Sequence, residues 1–289
     1  MQENNEISAL FRLIDDPDDN VYGTVSEKIV SYGSGIIPNL EHLWETSISE
    51  EVQERIEMLI HRLHYTDLTR DMTEWRDSGH HDLLFGALLV AKFQYPDLHT
   101  TPALQEIEKI RRNVWLELNS FLTPLEQANV LSSIIFSYYR LKGVEMAYTN
   151  VDDYMLHKVL ESKKGNALSN GIIYQVMCDL LDINARIINI PKQCVIAFFH
   201  SDYDGDHTGH PQEKIHFYVD GATGQAFSHN DIENYFKRIN VPPVAAYFRP
   251  QSHKRTIQIL LEQTAKCFDL PANEYKQKEL MQLADLLDE

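Results

Sequence analysis

Three short runs late in the chain constrain its fold most: ARIINI (185–190), CVIAFF (194–199) and KIHFYVD (214–220). Each is rich in Ile, Val, Phe or Tyr, and each reads as a β-strand. Everything before about residue 145 reads as helix. The expected fold class is therefore α+β, with a mostly helical N-terminal half followed by a core with a small antiparallel sheet. The expected domains are 1–145, helical, and 146–289, sheet-bearing with closing helices.

The helical half carries its own punctuation. Leu10, Leu13 and Ile14 follow helical spacing until DDPDDN breaks the run, because Pro17 disfavours helix in the residue before it. Val21, Val25 and Ile29 restart the stripe, Gly33 and Gly35 end it, and Pro38 opens the next helix. Two helices around an Asp-Pro turn resemble a single HEAT repeat. Residues 83–90 are apolar on nearly every side, which predicts a buried central helix. Thr123, Pro124 and Glu126 predict a capped helix start, as do Ser228 and Asp231. Trp44, Trp75 and Trp115 are expected as packing anchors. HKRT at 253–256 is expected as a solvated helix start.

The 289 residues carry a net charge of −17. An acidic surface repels phosphate backbones and anionic lipid, so neither nucleic acid nor a membrane is an expected partner. No apolar stretch approaches the roughly 20 residues of a membrane span. MQENNEISAL has no basic or apolar leader region, so no signal peptide is expected. Cys178, Cys194 and Cys267 give no disulfide framework and no CxxC zinc spacing, and a cytoplasmic location is expected.

KVLESKKGNALSNGIIYQVMCDLLDI, NIPKQCVIAF and FYVDGATGQAFS set a Gly-containing turn, a helix and a strand pair in order. This order resembles the transglutaminase-like superfamily, which has a papain-type core. RIEMLIHRL, DLLFGALLVAKFQYPDL, VWLELNSFLTPLEQ and GQAFSHNDIENYF resemble its SirB-type branch, whose helical, partly HEAT-like region precedes the core. The resemblance spans about residues 5–270 and implies where a catalytic centre would stand. Active members use a Cys at the start of the core helix, a His on the next strand and an Asp on the strand beside it. A helix dipole and an imidazolium stabilise the thiolate, and the Asp orients the His. In this chain no cysteine stands at the helix start, where the nearest positions are Ala167 and Ser169; the triad places the resemblance marks hold Ala167, Gln193 and Asp220. An amide does not titrate in the useful range, so Gln193 cannot be a general base.

The resemblance thus implies a disarmed frame with no cofactor. The expected function is a cytoplasmic binding or regulatory module for a protein or peptide ligand. Its groove would run from Lys164, Asn166, Ser169 and Asn170 at the helix start to Gln193 and Asp220 on the strands. Two alternatives stand beside it: a hydrolase or acyltransferase with a non-standard nucleophile in the same groove, and a scaffold acting through the N-terminal helices. Ser169 with His157 as base has no motif behind it. With Gln193 facing Asp220, the partner of Cys194 falls near Val219 and not at His216, and strand alternation turns Cys194 to the opposite face from Gln193. The loop between the second and third strands places Asp202, Asp204, Asp206 and Glu213 at calcium-loop spacing. His200, His207, His210 and His216 could serve zinc or nickel. His207 where a Gly is needed, Pro211, and strands as flanks all argue for a solvated loop.

Overall fold

The computed structural model describes residues 2–79, 81–201, 203 and 211–288. The chain forms two compact units, Met1–Glu74 and Trp75–Glu289. In the first, α1 (Gln2–Arg12) stops before the DDPDDN turn and α2 (Asp19–Val30) starts from it. The Asp18 carboxylate accepts from the Asn20 backbone N–H at 2.9 Å, an N-cap that satisfies a donor left without an intrahelical partner. Gly33 adopts φ 75°, the left-handed region, and the chain then enters α3 (Ile37–Thr46), with Pro38 in its first turn. The long α4 (Glu50–Asp77) follows. From it Arg55 donates to the carbonyls of Ile14 and Asp16, at 2.9 and 2.7 Å, and pins the Asp-Pro turn. Ile14, Ile29, Leu40, Ile56 and Leu59 make the core of this unit.

The second unit opens with α5 (Leu83–Gln94), buried on most sides as its apolar sequence requires. Trp75 lies against Gly86, where an added Cβ would stand 2.7 Å from the indole. Then come α6 (Thr101–Glu117), α7 (Pro124–Ser132) and a π-helical turn, Ser133–Tyr138. Thr123 and Glu126 form the expected capping box. A two-residue strand, β1 (Lys142–Gly143), precedes α8 (Leu156–Ser162) and pairs in parallel with β2 (Lys164–Gly165). The central helix α9 (Ala167–Leu180) leads into β3 (Ala185–Ile190), β4 (Gln193–Phe199), β5 (Ile215–Asp220) and β6 (Ala226–Phe227). These four form an antiparallel sheet in chain order. The unit closes with α10 (His229–Ile239), α11 (His253–Ala265) and α12 (Glu274–Leu286), and the Ser228–Asp231 capping box opens α10.

The sheet is covered on both faces. Cys194 and Phe198 face α9 through Gly171 and Tyr174. Val195, Ala197 and Phe199 share a cluster with Ile232, Phe236 and Phe248 on the other side. The outer edge of β3 is also closed. The Gln175 side chain, buried in α9, donates to the Ala185 carbonyl at 2.9 Å and accepts from the Ile187 N–H at 2.8 Å. Gln251 N–H then donates to the Ile187 carbonyl at 2.8 Å, and Pro250 bridges Ile188. An open edge would be a template for another strand. No helix of the described residues is long and apolar enough to cross a membrane.

Two expectations are corrected. Trp75 is buried, but Trp115 is 61% exposed and anchors nothing in the core. HKRT is not simply solvated: Thr256 is buried, and the His253 ring lies 2.7 Å from the His81 carbonyl and 3.1 Å from the Asp179 carboxylate. With oxygens at both ring nitrogens, only the imidazolium donates to both. Burial pulls the His253 pKa down, but the Asp179 hydrogen bond and charge and the His81 carbonyl outweigh it and the Arg186 charge, so the pKa is raised above 6.5. The stabilisation is therefore fully present below pH 6.5 and is lost as pH rises through the raised value. Melting temperatures of wild type and His253→Gln, measured from pH 5.5 to 8.5, should differ most at the acid end and converge at the alkaline end. A constant difference would remove the linkage.

Candidate functional site

The start of α9, the place the resemblance marks for a nucleophile, is built almost wholly from local polar residues. Lys163 ends α8 in the left-handed conformation, φ 58°. The next residue pair crosses β1, with Lys142 N–H on the Lys163 carbonyl and Val144 N–H on the Gly165 carbonyl, both at 2.9 Å. Gly165 has no room for a side chain: a Cβ there would stand 2.3 Å from Asn170 Oδ1 and 2.7 Å from Ser169 Oγ. Asn166 caps the helix, accepting from the N–H groups of Leu168 and Ser169 at 2.9 and 3.0 Å. Its amide nitrogen donates to the Asp153 carbonyl at 3.1 Å. Those first-turn N–H groups would otherwise be free to stabilise an anion.

The other polar residues turn inward as well. Asn166, Ser169 and Asn170 are completely buried. Ser169 Oγ donates to the Asp153 carbonyl at 2.8 Å and lies 3.3 Å from both Asn166 oxygens. The Asn170 amide nitrogen reaches the carbonyls of Lys142 and Ala222 at 3.3 and 3.4 Å, while its oxygen is buried without a hydrogen-bond partner. His157, the base considered for Ser169, does not reach it: its Nδ1 is also buried without a partner. Its ring stands edge-on to Tyr95 at 4.8 Å, and burial lowers its pKa, with Lys158 adding to the effect.

On the strands the register decides the neighbours. Asp220 pairs with Val195, and Gln193 pairs with Ile190 across the β3–β4 turn, so Gln193 lies two residues beyond the partner of Asp220. The Asp220 carboxylate is engaged in its own turn, accepting from the Ala222 N–H at 3.3 Å and the Thr223 hydroxyl at 2.6 Å. That turn is wedged against the helix start. An added Cβ on Gly221 would lie 2.6 Å from the Ala167 carbonyl oxygen and 2.9 Å from that of Cys194. Gly224, at φ 73°, fits against the Phe136 ring of the π-helical turn. The junction of Ala167 with the Asp220 turn is therefore filled by backbone.

Cys194 and His216 form no dyad. Cys194 lies beside Gly221, which donates to its carbonyl at 3.0 Å. His216 sits at a register shift near the far end of β4, its ring tilted against that of His200 with centroids 3.6 Å apart. Burial, then the Asp220 charge, pushes the Cys194 thiol up to about 12. Burial also raises the Cys178 thiol and pushes Cys267 up to about 11. None resembles a nucleophile poised as thiolate. Of the metal-loop residues, Asp202, Asp204, Asp206, His207 and His210 lie outside the described residues.

Space is left beside this junction. A cavity of about 290 Å³ is lined by Leu168, Ile187, Ile190, Lys192, Gln193 and Cys194, together with residues of the 146–148 segment and of α11. A second, of about 390 Å³, adjoins Gln193 from the α10 side with Tyr235 and Arg238. Gln193 thus borders open space, whereas Asn166, Ser169 and Asn170 do not line either cavity. Sequence reasoning missed Lys192, although its place after Pro191 in a two-residue hairpin turn was a readable signal.

A search of curated proteins and a search of solved structures each return no match to this chain. A family model described as the transglutaminase-like superfamily matches residues 101–262, more than half of the chain. That span runs from the start of α6, through the π-helical turn and the α9 start, to most of α11. It holds the helix-then-antiparallel-sheet arrangement in which Ala167, Gln193 and Asp220 were singled out, and the chain belongs to the transglutaminase-like superfamily.

Proposed function

We propose that this chain is a non-catalytic member of its superfamily, a binding or regulatory module that takes a protein or peptide ligand beside Gln193. The observation that carries the proposal is the start of α9. It offers Ala167 in place of a nucleophile, and its N–H groups and hydroxyl are committed to internal partners. Acyl transfer needs a nucleophile with a base in reach, and no hydrogen-bond partner of Ser169 is titratable. The rival reading, a hydrolase with a non-standard nucleophile, gains nothing from this geometry. We assign the chain to the SirB-type branch, with a HEAT-like helix pair around the Asp-Pro turn. With three unpaired cysteines, the reading assigns it to a reducing compartment such as the cytoplasm.

Labelling tests it directly. At pH 8 a chloroacetamide should leave Cys178 and Cys194 unmodified in the native protein and should label all three cysteines in urea. A peptidyl ester should form no acyl adduct. Stoichiometric acylation that a single substitution of Cys194 or Ser169 abolishes would sink the non-catalytic reading.

A further inference from the structure

The cavity beside Gln193 has a charge character opposite to that of the rest of the chain. The chain carries 43 acidic residues against 26 lysines and arginines, yet no Asp or Glu lines this cavity, and Lys192 and Lys266 do. Neither lysine has an acidic partner among the described residues. The floor is apolar, with Leu168, Ile187, Ile190 and Ile259. Around it stand the carboxamides of Asn189, Gln193, Gln251 and Gln263, groups that both donate and accept hydrogen bonds as a peptide backbone does.

Both lysines are held in place. Lys266 Nζ donates to Gln263 Oε1 at 3.1 Å and stands 5.3 Å from the centre of the Tyr148 ring. The Tyr148 hydroxyl donates to the same Gln263 oxygen at 2.8 Å. Lys192 occupies the second corner of the Pro191–Lys192 turn at φ 63°, a conformation that disfavours side chains other than glycine and is kept where the surroundings impose it. The Tyr235 hydroxyl anchors this turn by donating to the Pro191 carbonyl at 2.7 Å. A glycine would satisfy the turn better, but it would remove the ammonium from the rim.

We infer that this cavity recognises an acidic peptide segment. One large apolar side chain enters the floor, the carboxamides meet the peptide backbone, and flanking carboxylates meet Lys192 and Lys266. The inference rests on the binding reading above and gives it a ligand class. A volume of about 290 Å³ lies at the small end of ligand sites, roughly 300–1,000 Å³, which suits one side chain with a short stretch of backbone.

Fluorescence anisotropy on the full chain tests it with four labelled pentapeptides: a central leucine flanked by glutamates, by glycines or by lysines, and a central glycine flanked by glutamates. The glutamate–leucine peptide should bind about tenfold more tightly than any other, and binding should weaken at about 0.5 M salt. The double variant K192E/K266E should lose about tenfold or more in affinity. Lys192→Gly should melt at or above the wild-type temperature and still bind more weakly, which separates recognition from folding. If the glycine-flanked or lysine-flanked leucine peptide binds as well, and the charge reversals change nothing, the acidic assignment is overturned while groove binding stands. Equal binding of the glutamate–glycine peptide would overturn the apolar anchor. If no peptide binds at millimolar concentration, both this inference and the peptide-binding reading fail.

Discussion

Gly221→Ala should lower the stability of the second unit by about 3 kcal/mol, at the upper end of overpacking costs. The reason is the identity of the atoms met. The new methyl would stand 2.6 Å from the Ala167 carbonyl oxygen and 2.9 Å from the Cys194 carbonyl oxygen. Both belong to regular backbone, in the first turn of α9 and in β4, so neither can swing away as a flexible side chain would. Relief requires the Asp220 turn to lift from the helix start. That would also stretch the 3.0 Å bond from Gly221 N–H to Cys194. For a unit of this size the penalty corresponds to a fall in melting temperature of about 6–12 °C. Urea denaturation followed by circular dichroism would measure it. Wild-type stability in this variant would mean that the turn does not sit against the helix, and the filled junction would have to be abandoned.

Gln175→Leu should cost about as much, for an electrostatic reason. The Gln175 side chain is buried and makes three bonds: to the Ala185 carbonyl, to the Ile187 N–H and to the Asp179 carboxylate at 2.9 Å. Leucine keeps most of the volume but removes every partner. The Ala185 carbonyl still has the Arg186 guanidinium at 2.8 Å. The Ile187 N–H has no second acceptor and is left buried and unpaired, a penalty of about 1–3 kcal/mol. Loss of the Asp179 contact adds to it. Hydrogen exchange is the sharper readout, because the Ile187 amide should lose most of its protection while amides in the middle of β4 keep theirs. Retained protection at Ile187 would show that water or another group closes the edge.

The two substitutions address the same design. In a working papain-type centre, the helix start must stay accessible and its dipole must act on the nucleophile. Here Asn166 consumes that dipole, Asp220 serves its own turn, and Gly221 allows two backbones to meet where a side chain would stand. What remains open lies to one side, at the Pro191–Lys192 turn.

Some of this was legible in the residues. The capping boxes at Thr123 and Ser228, the buried α5 and the Asp-Pro break depend on interactions within a few residues, which local sequence encodes. Gln193 pairs with Ile190 because a two-residue turn leaves no freedom of register. The β4–β5 pairing was not legible in the same way. Fifteen residues, 200–214, separate these strands, so nothing local chose Val195 over Gln193 as the partner of Asp220. The β1–β2 pair was invisible, since Lys-Gly dipeptides have no strand propensity and the two are brought together by contacts distant in sequence, Gly143 against the Ala222 carbonyl and Gly165 against Asn170 and Ser169. Trp115 was misread because hydrophobicity sets a tendency to be buried, while its position on α6 decides which side faces solvent.

By itself the sequence determined most of the helices, the three longer strands and the family, and it places no titratable side chain at positions 167 and 193. These are matters of residue type and short-range periodicity. Only the tertiary structure decided that the helix start is sealed by the Gly221 turn, that Gln175 closes the sheet edge, and that two lysines share a cavity free of carboxylates. Each depends on residues far apart in the chain meeting at a few ångströms, which packing sets and local propensity does not.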